Sequence, residues 1–272
     1  MVATTTQVAD MTRAVAGDRT EVDQILQPGS DPHEYEPRPS DAEAVANAKV
    51  VIRSGGDVDE WLDGVVEQAG GDADVVTLID AVDRHGGDPH WWQDPHNAEK
   101  AVEAIREALT KADPEGAAGY TARANAYEAK LEALDAGIAS CVQRVPPETR
   151  QLVTSHDALG YYAARYGFRV IGAAIPSLST QAQPSAAATK RLVDQIKAQH
   201  VPAIFPESAV SPKLEEAIAR DAGAKVGGAL WADALGPRGS TGATYLDAMT
   251  ANTNTIVSAL TRGEVNCARH GR

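Results

Sequence analysis

The stretch DPEGAAGYTARANAYEAKLEALDAGIASCVQRVPP, residues 113–147, decides the architecture. Asp113-Pro114 is a helix-start signal with proline suited to the first turn, and Pro146-Pro147 is the first stop that follows it. Between them, apolar or aromatic residues return at helical spacing at Tyr120, Tyr127, Leu131, Leu134, Ile138 and Val142. Roughly 30 residues at 1.5 Å each make a rod of about 45 Å, enough to cross from one lobe to another and to limit their relative motion. A chain of 272 residues, 43% hydrophobic and 23% charged, has material for a core on either side.

Upstream of the rod, short β-branched runs alternate with helical periodicity, the pattern of βα units around a largely parallel sheet. Val2 to Thr6 reads as the first strand, followed by Val50 to Ile52 and Val75 to Leu78. Ser40-Asp41-Ala42-Glu43 has capping-box spacing. Val58, Trp61, Leu62, Val65 and Val66 repeat at helical intervals, and Asp94-Pro95 opens a helix bearing Val102, Ile105 and Leu109. Downstream the alternation resumes with strands at 151–154, 168–172 and 201–205. Helices are expected from Asp157 to Tyr166, from Pro184, from Pro212 to Ala222, and in a last segment carrying Tyr245, Met249, Ile256 and Leu260. The expected fold is α/β, two βα lobes with mostly parallel sheets joined by one long helix: an N-terminal lobe at 1–113, a linking helix at 114–145 and a C-terminal lobe at 146–272.

Twenty-five basic residues against 38 acidic ones give a net charge of −13, which argues against a nucleic-acid partner, because phosphate binding draws on clustered Lys and Arg. An acidic surface suits a protein that collects cations. No run of about 18 apolar residues is present to span a membrane. The chain opens on what reads as a core strand, so either it is cytoplasmic or an export segment has been removed. Cys141 and Cys267 lack the close spacing of a zinc knuckle or redox pair and suit either one disulfide or two inert thiols.

The chemistry concentrates in histidines. Asp31-Pro32-His33, Asp88-Pro89-His90 and Asp94-Pro95-His96 repeat one tripeptide, and proline stiffens each turn so that an imidazole can be held in one direction. His156 leaves the strand-like run 151–155 directly, with Asp157 as the expected cap of the next helix. That is the carboxyl end of a strand, where open α/β sheets bind ligands. Taken singly, each histidine has a plain reading: His156 hydrogen-bonded at a helix start, His33 on an exposed turn, His90 a bystander beside core residues Trp91 and Trp92.

Taken together they are more specific. Asp31-Pro32-His33-Glu34-Tyr35-Glu36-Pro37, Asp88-Pro89-His90-Trp91-Trp92, Ser155-His156-Asp157-Ala158-Leu159-Gly160-Tyr161 and Trp231-Ala232-Asp233-Ala234-Leu235-Gly236 follow one another at spacings that resemble the solute-binding proteins of zinc and manganese ABC importers. The resemblance extends along essentially the whole chain, including the long helix and the run 239–245. It implies two α/β lobes with one metal held between them, ligated by His33 and His90 from the first lobe and His156 and Asp233 from the second. His96 is not carried over, because the first turn of a helix is a poor place for positive charge.

Three imidazoles and one carboxylate suit tetrahedral Zn2+; manganese prefers oxygen-rich surroundings, and relatives that carry it usually have a carboxylate in place of the third histidine. His156 therefore favours zinc, with Mn2+ as the alternative. The histidine-rich loop of many zinc members is reduced here to His85, which reads as an ordinary loop residue. His200 ends a helix, where a cation or donor is favourable, and His270 falls in the tail. The resemblance implies a monomeric carrier, periplasmic or on the cell surface, that delivers the ion to an ABC permease in the cytoplasmic membrane. A zinc hydrolase would need an open coordination position and a base such as Glu34, Glu36 or Glu207, but no His-Glu-x-x-His helix or Gly-x-Ser-x-Gly elbow is present. A site with four protein ligands is closed, and no enzyme is expected. A stabilising structural metal is a third reading. Affinity is expected to fall below roughly pH 6.5, where free imidazoles take up protons.

Overall fold

The computed structural model describes residues 1–267; His270 lies outside the described residues. Two compact units divide the chain, Met1–Ala133 and Leu134 onward.

The first unit is built on a four-stranded parallel sheet, β1 (Val2–Ala3), β2 (Asp23–Gln24), β3 (Val50–Arg53) and β4 (Asp74–Thr77), in the order β2-β1-β3-β4. Its helices are α1 (Thr6–Ala16), α2 (Pro39–Ala46), α3 (Leu62–Ala69) and α4 (Pro95–Ala112). Successive residues of a strand point to opposite faces. Val2 and Val51 meet Val45 of α2 and Leu62 and Val65 of α3 in one apolar cluster. Ala3 and Ile52 take the opposite face, where α1 packs against α4 and buries Val8, Met11, Val15, Val102 and Ile105. Every strand therefore points its carboxyl end in the same direction, and the loops that leave those ends gather at one edge.

A buried carboxylate organises that edge. Asp59, fully buried, accepts hydrogen bonds from Thr4 Oγ1 at 2.6 Å and from the Ser54 and Gly55 backbone N–H groups at 2.7 and 2.9 Å. Arg53 supplies the countercharge at 3.3 Å. Gly55 has φ +91°, and a Cβ there would lie 2.5 Å from Ile79 Cγ2, so only glycine lets β3 turn this tightly beneath the loop after β4.

Three local expectations differ from what is observed. The strand expected over Val2–Thr6 stops at Ala3, because Thr5 turns its hydroxyl to accept the Val8 N–H and starts α1, a helix unrecognised in the sequence. Helix α2 begins at Pro39 rather than behind a Ser40 cap; Asp41 instead reaches back to accept the Arg38 N–H at 2.7 Å. Asp157 does not cap the following helix: its N–H is spent on Ser177 O, and the helix begins at Gly160.

A single helix, α5 (Ala117–Val142), starts in the first unit and ends in the second, its 26 residues rising about 39 Å. The second unit continues with β5 (Gln151–Thr154), α6 (Gly160–Tyr166), β6 (Arg169–Ala173), α7 (Ala186–Gln199), β7 (Ala203–Ile204), α8 (Lys213–Ala222), β8 (Lys225–Val226) and α9 (Tyr245–Leu260). β5 pairs with β6 and β7 with β8, all parallel, and the Thr154–Phe205 bridge joins the two pairs. Val153, Leu192, Val193, Ile196, Ile204 and Ile218 form its core. Cys141, at the end of α5, and Cys267 form a disulfide with Cα atoms 5.6 Å apart, which settles the alternative left open by their spacing.

Candidate metal centre

The three Asp-Pro-His triplets share one local geometry. In each, the aspartate Oδ1 accepts the backbone N–H of the histidine two residues on, at 2.9 Å for Asp31–His33, 3.0 Å for Asp88–His90 and 2.9 Å for Asp94–His96. This is the Asx turn, in which a short acidic side chain mimics the backbone and the proline between fixes φ. Position in the fold then separates them. The loop after β2 carries His33 and the loop after β4 carries His90, both buried, whereas His96 lies in the first turn of α4 with its side chain 47% exposed and its Nδ1 3.0 Å from Glu99. His85 and His200 are exposed, His200 closing α7 in the left-handed conformation.

Within the first unit, the His33 and His90 rings meet edge to face with centroids 5.7 Å apart and offer ring nitrogens within 4.8 Å of each other. Asp88 Oδ1 also sits 2.7 Å from His90 Nδ1, a contact that orients the ring from its Nδ1 side. The Trp92 ring packs 5.4 Å from the His90 ring, and Trp91 donates its Nε1–H to Ser54 Oγ at 3.0 Å. Both tryptophans are almost wholly buried and pack edge to face on each other, with Trp92 against the His90 ring.

In the second unit, His156 follows β5, Glu207 follows β7 and Asp233 follows β8, again at the carboxyl ends of parallel strands. His156 is flanked by two carboxylates, Glu207 Oε2 at 3.0 Å from Nδ1 and Asp233 Oδ2 at 3.0 Å from Nε2, all three side chains nearly inaccessible. Burial opposes charge on this imidazole, but Asp233 and Glu207 together outweigh it and hold the His156 pKa well above the ordinary histidine value. The two carboxylates thus favour the protonated form of the ring they flank.

The Asp233 loop owes its shape to Trp231. The indole lies against Gly236 and Gly242, where a Cβ would come within 2.6 and 2.5 Å of its ring atoms, and the Gly236 N–H donates to Gly242 O at 2.8 Å. Asn252 of α9 grips the Trp231 backbone twice, accepting its N–H and donating to its carbonyl, both at 2.8 Å. The similarity of 231–236 and 239–245 to the family pattern thus has a physical basis: one aromatic ring closes both runs into the loop that presents Asp233.

Among the described residues, His33 and His90 in the first unit and His156 and Asp233 in the second are buried side chains that each carry a metal-ligating atom. The sequence pattern matches the family described as zinc-uptake complex component A, periplasmic, over residues 1–259. The chain belongs to this family. Members and relatives differ in cargo. The manganese-binding lipoprotein MntA of Halalkalibacterium halodurans is 37% identical over 94% of this chain and 86% of its own length. The iron-binding protein YfeA of Yersinia pestis is 31% identical over 94% of this chain and 84% of its own. The structure of the periplasmic zinc-binding protein TroA of Treponema pallidum superposes with a TM-score of 0.90 at 32% identity, covering 95% of this chain and 98% of that one. The family is one of transport components, and the bases imagined for a hydrolase fit it poorly: Glu34 and Glu36 are exposed, and Glu207 is engaged by His156 and by the Asp233 N–H at 3.2 Å.

Sequence reading did not identify the roles of Glu207, Asn252 or Ser155. A lone glutamate after a strand has no spacing signature. Asn252 did leave a trace, as a polar residue on the apolar stripe between Met249 and Ile256.

Proposed function

We propose that His33 and His90 together with His156 and Asp233 enclose a single divalent ion, that the physiological cargo is zinc, and that this chain captures it outside the cytoplasmic membrane for delivery to the permease of an ATP-driven importer. The observation that carries the reading is that each unit presents one buried pair of donors at the carboxyl ends of its parallel strands, in a chain of the zinc-uptake family. Four protein ligands leave no position for a reactive water, which suits carriage and not hydrolysis. Zinc is preferred because the third donor is the imidazole of His156 and not a carboxylate oxygen. The protein is proposed to act as a monomer, in the periplasm or tethered at the cell surface.

Charge supports cation capture. The first unit holds 11 basic and 27 acidic residues, a net charge of −16, whereas the second holds 14 and 11, a net charge of +3. A field of that size draws divalent cations and makes the association rate fall with ionic strength.

Metal analysis of protein purified without chelator, followed by competition calorimetry between zinc and manganese, tests the assignment. Zinc at one equivalent, held more tightly than manganese, is expected; tighter binding of manganese favours the second reading, to which the 37% identical manganese-binding relative gives weight. A chelator is expected to remove the ion and leave the chain folded, whereas unfolding on removal points to a structural metal.

A further inference from the structure

The strongest feature not absorbed by the four-ligand reading is Glu207. It is 4% exposed, and each of its carboxylate oxygens has a separate task. Oε2 faces His156 Nδ1 at 3.0 Å, and Oε1 accepts the backbone N–H of Asp233 at 3.2 Å. One side chain therefore orients two proposed ligands, the ring of the first and the loop of the second. Its own backbone is fixed in turn: the Glu207 N–H donates to Ser155 Oγ at 3.0 Å, and that hydroxyl donates to the buried Glu215 of α8 at 2.6 Å. Ser155 is the residue before His156, so the chain Glu215–Ser155–Glu207 ties α8 and the ends of β5 and β7 into one frame behind the imidazole.

We infer that Glu207 is a positioning residue that biases this site towards nitrogen-preferring borderline divalent ions, zinc above manganese. The inference rests on the carrier reading above. A carboxylate on Nδ1 keeps the proton there, directs the Nε2 lone pair to the side of Asp233, and raises the donor strength of the ring. A stronger imidazole donor benefits zinc more than manganese, which draws most of its affinity from oxygen ligands. Glu207 does this without becoming a ligand, because it lies on the Nδ1 side and Asp233 on the Nε2 side of the same ring. Asp88 holds His90 Nδ1 in the same manner at 2.7 Å, so both imidazoles are oriented by one rule, but only Glu207 also holds a second ligand-bearing loop.

The test uses the full chain. In Glu207→Gln the shape is kept, but one of the two acceptors becomes an NH2 donor that must face either His156 Nδ1 or the Asp233 N–H. The zinc dissociation constant is expected to rise by about 10- to 100-fold, with a smaller rise for manganese, so that the zinc preference narrows. Nitrogen-15 NMR of the zinc-loaded protein supplies a signature that a merely structural role would not move. Wild type should show His156 bound through Nε2 with a protonated Nδ1 in slow exchange, and the variant should lose that protected proton. Glu207→Asp, which keeps the charge but withdraws its reach by one methylene, should also weaken zinc and serves if the glutamine variant does not fold. Unchanged zinc affinity in either folded variant, or equal losses for zinc and manganese, overturns the inference. Failure of the wild-type chain itself to bind a divalent ion would instead remove the carrier reading.

Discussion

Cutting the Cys141–Cys267 bond is the perturbation whose size follows most simply from the fold. The cysteines are 126 residues apart, so the bond closes a loop that contains nearly the whole second unit. In the chain-entropy treatment, a loop of that length removes about 16 cal/mol/K from the unfolded ensemble, or about 5 kcal/mol at 25 °C. On the scale of a unit this size, that corresponds to a fall of roughly 15–20 °C in the unfolding midpoint of the second unit. The bond also anchors the segment after α9, where Asn254 accepts the Cys267 N–H at 3.0 Å and Arg144 donates to Asn266 O at 3.0 Å. None of these groups bonds a proposed metal ligand, so ion affinity should survive. Denaturant unfolding of the ion-free protein, followed by far-ultraviolet circular dichroism with and without reductant and in the Cys141→Ser/Cys267→Ser double variant, measures the difference. A loss under about 1 kcal/mol would refute the reasoning, since it would mean that the unfolded second unit is already constrained without the bond. Disulfides of this kind persist mainly in oxidising compartments.

Proton release is expected on zinc binding at pH 7, because the ion must displace the proton that Asp233 and Glu207 hold on His156. With that pKa raised, affinity should increase with pH from below the ordinary histidine range to above it, so the decline on acidification begins above roughly pH 6.5; calorimetric enthalpies that do not vary with buffer ionisation enthalpy would contradict this. The same raised pKa stabilises the ion-free fold below the unfolded histidine value, and that contribution disappears as pH rises through the folded value. His156→Glu should weaken zinc and narrow its advantage over manganese, and a competition titration with an unaltered preference would exclude His156 as a ligand. Asn252→Leu leaves the Trp231 N–H and carbonyl without their partner, at about 1–3 kcal/mol for each group that water does not reach, and should loosen the Asp233 loop. Thermal unfolding and zinc affinity both at wild-type values would show that the loop is held by Trp231 packing alone.

Particular residues show why some of this could be read from the sequence and some could not. The long helix was visible because Tyr120, Tyr127, Leu131, Leu134 and Ile138 keep one stripe between two proline stops, and each of them is buried. The parallel sheets were visible in the β-branched runs of β3 to β5. Helix α1 was hidden because Thr4, Thr5 and Thr6 carry strand propensity, and only the hydroxyl of Thr5 turning back to Val8 reverses it. His33, His90, His156 and Asp233 are proposed as ligands from motifs that keep prolines, tryptophans and glycines at fixed offsets. Glu207 has no such offsets; its part depends on β7 ending beside β5, a pairing made by the single bridge Thr154–Phe205, which no local pattern encodes.

Anomalous diffraction from crystals grown with one equivalent of zinc bears on the shared ion itself. One peak is expected, with His33, His90 and His156 nitrogens and an Asp233 oxygen all about 2.0–2.2 Å from it. Two separate peaks, one on each unit, or a single peak lacking any of these four side chains, would contradict the enclosed site.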